Sequence, residues 1–152
     1  MSDHLQNTIT KIQERHPIEV EEFRGEFTVY IDPEKIQPLL LELRDQFMFN
    51  TCMDVTAVDY YPQETPRFHV IYQLYSMPHN VRLQVRTRIN GNAPRLDSVQ
   101  GIYPGANWKE REVYDLFGIH FIGHPDLRRM FDLPVRFRQL QLTDVIHRIP
   151  EC

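Results

Sequence analysis

Between residues 80 and 89 the polarity of the chain changes with almost every residue. Val81, Leu83, Val85, Thr87 and Ile89 fall on one side of an extended backbone, and Arg82, Gln84, Arg86 and Arg88 on the other. A period of two is the pattern of a strand with one covered and one wet face. Two similar runs precede it, at residues 52–61 and 67–75, the second with Phe68, Val70, Tyr72 and Leu74 on one face. Pro62, Pro66 and Pro78 sit in the connections, where a missing ladder N–H does no harm. Asn90, Gly91 and Asn92 then make a turn. A sheet with one wet face must cover its other face with helices.

The first half of the chain supplies those helices. Leu5, Ile9 and Ile12 recur at helical spacing over residues 3–16, with Ser2 or Asp3 as cap and Pro17 as stop. Two short alternating runs follow, 18–23 and 26–31, joined by Arg24 and Gly25, where Gly25 can adopt a positive φ. Asp32 and Pro33 read as cap and first residue of a second helix, whose stripe is Ile36, Leu39, Leu40, Leu43 and Phe47. The order is helix, two strands, helix, three strands, helix. It predicts an α+β two-layer sandwich with a mixed sheet. With 152 residues, 41% hydrophobic and 25% charged, the chain is globular and needs no metal or disulfide staple.

Several chemistries lack their residues. No apolar run approaches the roughly twenty residues of a membrane span, and the first residues lack the basic and apolar regions of a leader, so a cytoplasmic protein is expected. Cys52 and Cys152 read as free thiols, and two cysteines cannot supply the four thiolates of an ordinary iron–sulfur cluster. There is no dinucleotide fingerprint, Walker loop or serine elbow, so no cofactor is expected. Charge is split: residues 1–64 hold 13 acids against 5 Lys and Arg, and residues 65–152 hold 8 against 12. Folding can keep these as separate acidic and basic surfaces or intermix them.

The most informative stretch is 104–129. Asn107 is placed to cap a helix, with Glu110 three residues on as in a capping box, and Val113, Leu116 and Phe117 as its apolar stripe. Gly118 can end it, and Gly123, His124 and Pro125 turn the chain before a short helical turn, Leu127, Arg128 and Arg129, preceded by Asp126. Glu110, Glu112 and Asp115 are candidate acid–base groups, but positions 110 and 112 lie on different helix faces. A solvated, capped helix face accounts for them more simply. His120 and His124 have metal-ligand spacing only on a helix, which the nearby glycines and proline exclude; a turn histidine bonded to backbone is expected. Arg82, Arg86 and Arg88, with Arg67 and Arg95, suggest a nucleic-acid face. In a chain of net charge −4, a solvated or partner-facing sheet surface fits them better.

Residues 106–129 resemble the signature of the C-subunit (30-kDa) family of NADH:quinone oxidoreductase, respiratory complex I. The matching residues are Ala106, Asn107 and Trp108; Glu110, Arg111 and Glu112; Asp115 through Ile119; Phe121; and Gly123 through Arg129. The element order extends the resemblance over 1–129. Residues 130–152 lack the family's second Gly-His-Pro segment and read as a divergent tail. The resemblance implies a non-catalytic structural subunit of the hydrophilic arm, in an enzyme coupling NADH-to-quinone electron transfer to proton translocation. It implies a place on the cytoplasmic face of the membrane, without insertion into it. It also implies packing against the D-subunit, which helps form the quinone cavity, and near the iron–sulfur subunits. The signature residues Glu110, Arg111, Glu112, Asp115, His124, Asp126, Arg128 and Arg129 then form a partner interface. Arg111, Asp126, Arg128 and Arg129 are expected to matter for assembly and little for folding. The same subunit type occurs in membrane-bound hydrogenases. A free-standing nucleic-acid-binding domain and a small hydrolase using Glu110 or Asp115 are the readings from other classes.

Overall fold

The computed structural model describes residues 2–62 and 66–128. In chain order they form α1 (Ser2–Arg15), β1 (Glu19–Phe23), β2 (Glu26–Ile31), a 3-10 turn (Pro33–Lys35), α2 (Ile36–Gln46), β3 (Thr51–Asp59), β4 (Phe68–Ser76), β5 (Val81–Ile89), β6 (Arg95–Asp97), α3 (Ala106–Phe117) and β7 (His120–Ile122). The expected α+β sandwich is present. Its main sheet has five strands in the order β1-β2-β5-β4-β3. Only β2 and β5 run parallel, because α2, β3 and β4 intervene between them, so the sheet is mixed.

Period-two alternation positions the layers. On β5, Val81, Leu83, Val85, Thr87 and Ile89 are all buried, while Arg82 and Arg88 are exposed. They face Ser76, Leu74, Tyr72, Val70 and Phe68 of β4 across the ladder. Leu5, Ile9 and Ile12 of α1 and Ile36, Leu39, Leu40 and Leu43 of α2 complete this core. The ends of the two helices are tied: Arg15 and His16 both reach Glu42, His16 Nε2 at 2.6 Å. The outer sheet face is drier than alternation alone implies. His69 and Ile71 of β4 are buried there too, and the Tyr60 ring lies 4.4 Å from His69.

Turn chemistry follows the sequence at one hairpin and departs from it at α2. Arg24 and Gly25 both have positive φ, 53° and 82°, which suits the twist of a two-residue hairpin. Asp32, by contrast, makes no side-chain cap bond, and Pro33 opens a 3-10 turn from which α2 starts at Ile36. Two strands were not expected. β6 and β7 form a separate parallel pair in which Leu96 faces Phe121, both buried. Three-residue strands leave too short a period to read.

Candidate functional site

Helix α3 carries most of the signature, and its inward face is not the expected one. The helix begins at Ala106, after Gly105, with no side-chain cap bond, so Asn107 lies inside it and no capping box forms. Its buried positions are Ala106, Glu110, Arg111 and Val113. Leu116, expected in the apolar stripe, is 65% exposed. The C-terminus does follow expectation: Gly118 has φ 72° and its N–H bonds Tyr114 O at 2.9 Å.

Glu110 is the largest correction. It is fully buried, not part of a solvated helix face. Its Oε1 accepts the Val99 N–H at 2.7 Å and its Oε2 accepts the Ser98 hydroxyl at 2.6 Å. Ser98 Oγ accepts the Gln100 N–H in turn. A carboxylate thus fixes the chain just after β6 onto α3. Burial pushes the Glu110 carboxyl up to about 7, against the opposing effect of the bonds from Ser98 and Val99.

His124 closes the same cluster from the other side. Its side chain is fully buried, with Nε2 3.8 Å from Glu110 Oε2. Nδ1 accepts the Asp126 N–H at 3.0 Å, which assigns the proton to Nε2, and Nε2 bonds Asn107 O at 3.2 Å. The turn histidine bonded to nearby backbone is what the sequence suggested. Among the described residues no three His, Cys, Asp or Glu groups converge to hold a metal.

Arg111 also departs from expectation. It is only 6% exposed. Its guanidinium lies 4.4 Å over the Trp108 ring, and its Nε donates to Arg128 O at 3.4 Å. Arg128 and Asp126 are exposed and pair with each other at 3.2 Å. The structure therefore brings Glu110, Arg111, His124, Asp126 and Arg128 together as one knot of helix, loop and turn. Glu112 is exposed and Asp115 half-buried; Glu110 and Glu112 do not converge. Arg129 lies outside the described residues. Ser98, Val99 and Trp108 were not among the expected site residues, and no local spacing links Ser98 to a helix residue 12 positions away.

The arginine strand sits among acids. Arg88 is 3.6 Å from Glu19 and 4.3 Å over the Tyr30 ring. Arg67 grips Asp59 with two bonds, 2.8 and 2.7 Å. Arg86 bonds Gln84 and Tyr60 Oη. Basic β5 pairs directly with β2, from the acidic half of the chain, so on this sheet face the two charges intermix.

The model of the family described as respiratory-chain NADH dehydrogenase, 30 Kd subunit, matches residues 29–139 and so spans the knot around Glu110. The chain belongs to this family. A relative from Geobacter sulfurreducens, the C-subunit of NADH-quinone oxidoreductase, is 45% identical over 113 residues, 74% of this chain and 70% of that one. Two solved structures share the fold of this 30-kDa family member. The trypsin-resistant fragment (1-134) of Nqo5 superposes with a TM-score of 0.74 at 32% identity, over 82% of this chain and 99% of that one. A chain of the membrane-bound sulfane sulfur reductase, an archaeal respiratory membrane complex, gives 0.77 at 27% identity, over 91% and 82%. Like these relatives, the 30-kDa family chain is a component of an oxidoreductase complex of the complex I type. No helix among its described residues is long and apolar enough to cross a membrane.

Proposed function

We propose that this chain is a structural subunit in the hydrophilic arm of an NADH:quinone oxidoreductase that couples electron transfer to proton translocation. In this reading it packs against the D-subunit, which forms the quinone cavity, and lies near the iron–sulfur subunits. It is held on the cytoplasmic face of the membrane by those partners, and it contributes no catalytic residue and no cofactor ligand. The family match over residues 29–139 carries the proposal. The local geometry supports it: the buried members of the signature are used up in knitting α3 to its neighbours, as Glu110 is by Ser98 and Val99. A group already satisfied by backbone is poorly placed to act on a substrate, and well placed to hold a surface rigid.

A second reading rests on the likeness to the sulfane sulfur reductase chain. There the same subunit type would serve a membrane complex with another electron donor or acceptor. Deleting the gene separates the two. The first reading expects membranes that no longer reduce quinone with NADH, restored by the tagged chain, which then brings iron-bearing subunits through purification. Membranes that keep NADH-driven quinone reduction while losing another respiratory activity would favour the second. A tagged chain that purifies alone from its own cells, free of iron, would defeat both.

A further inference from the structure

The outward face of α3 carries a line of three residues over two helical turns: Trp108, Glu112 and Leu116, spaced i, i+4, i+8. Trp108 is 60% exposed and Leu116 65%; Glu112 between them is exposed as well. Their spacing places the two apolar side chains about 12 Å apart on one line. Phe23 and Met77 are exposed too, which is ordinary for a folded surface. Leu41 and Ile122 are exposed as well and line one groove with Pro38 and Ile102, but that groove is lined by no aromatic and no charged side chain. The stripe differs in one further way: its tryptophan is already ordered. The buried Arg111 guanidinium supports the ring at 4.4 Å and is itself bonded to Arg128 O. An aromatic held in place loses little freedom on being covered, and tryptophan is among the residues on which interfaces concentrate their binding energy. The neighbouring cation gives no help to Glu112, since Lys109 is turned to Asp54 at 3.4 Å.

We propose that this stripe is the anchor by which the chain docks onto a neighbouring subunit of the same membrane complex, whose contacting surface presents a lysine or arginine between apolar side chains. The proposal rests on the subunit reading given above and names the residues through which it works. Charge complementarity selects the occupant: an acid flanked on both sides by apolar groups is desolvated on docking, and it needs a cation there to stay favourable. A purely apolar occupant would bury Glu112 without a partner. A second copy of α3 would set two such acids against each other or against apolar groups.

The test uses the full-length tagged chain in its own cells, in place of the native copy. Leu116→Glu and Glu112→Lys are compared with Met77→Glu, an equally exposed site on the β4–β5 turn. The recovered iron-bearing subunits per tagged chain are measured, with thermal unfolding of each purified chain as the check on folding. The expected result is a loss of roughly tenfold or more for both stripe variants, with Met77→Glu at the wild-type level and all melting temperatures alike. Wild-type recovery for Leu116→Glu and Glu112→Lys would overturn the anchor while leaving the subunit reading intact. So would losses that merely follow a lowered melting temperature. A wild-type chain that dimerises, and that Leu116→Glu makes monomeric, would assign the stripe to a second copy instead. A wild-type chain that brings no iron-bearing subunit would sink the subunit reading and the anchor together.

Discussion

Two arginines of one signature have opposite surroundings. Arg111 is buried between Trp108 and the Arg128 carbonyl, whereas the Arg128 side chain is 71% exposed. Arg111→Ala removes a buried cation that packs with its whole length, and is expected to cost the domain about 1–3 kcal/mol. Arg128→Ala is expected to leave the melting temperature unchanged. Thermal unfolding of the two variants decides this; equal effects would contradict the burial difference. Glu110 offers a pH test. Its carboxyl is held up to about 7 in the folded chain, against an ordinary 4.5. The folded state therefore keeps a proton that the unfolded chain releases at lower pH. The stability this gives is full below about 4.5 and is lost as pH rises through about 7, by an amount on the order of 3 kcal/mol. The wild-type domain is expected to melt higher near about pH 5 than near about pH 8. Glu110→Gln, which keeps an acceptor for Val99 and a partner for Ser98, should flatten that slope. An unchanged slope in the variant would show that other groups set it.

At the scale of elements, α3 depends on its left-handed terminus. Gly118 sits at φ 72°, and a Cβ there would meet nothing within 4 Å. Replacing it by alanine therefore tests backbone strain alone, without a clash. Gly118→Ala is expected to destabilise by roughly 1–2 kcal/mol, read as an earlier chemical or thermal midpoint with an unchanged slope. A neutral substitution would mean that the helix end relaxes without loss. β4 makes a contrast, being buried on both faces although its sequence alternates. β5 is the middle strand of the sheet and still leaves Arg82 and Arg88 exposed, so position in the sheet does not decide this. The outer face of β4 is covered locally, as by the Tyr60 ring 4.4 Å from His69.

At the scale of the molecule, the domain is expected to stand alone. The sequence pattern places the domain boundary at 129, and the Arg128 side chain beside it is exposed. Limited trypsin digestion of the full chain is expected to give a stable core ending at Arg128 or Arg129, identified by its mass. Digestion that runs through Arg67 or Arg111 without such a core would move the boundary, since both side chains are tied within the fold.

The α+β class, the order of the three helices and the five strands of the main sheet, the Arg24–Gly25 hairpin, the Gly118 terminus and the family were all legible in the sequence, whereas the short β6–β7 pair was not. Each legible feature is written in a short window: a period, a turn residue that must take positive φ, or an unbroken motif. Which face of α3 lies inside was settled by packing across the fold. Glu110 and Leu116 are opposite to the expectation that carboxylates face water and leucines the core. That expectation fails because burial depends on what waits across the interface. Ser98 and the Val99 N–H, distant from α3 in the local pattern, supply the two donors that make a buried carboxylate tolerable. With Glu110 turned inward and the helix period fixed, Trp108, Glu112 and Leu116 are left on the outside.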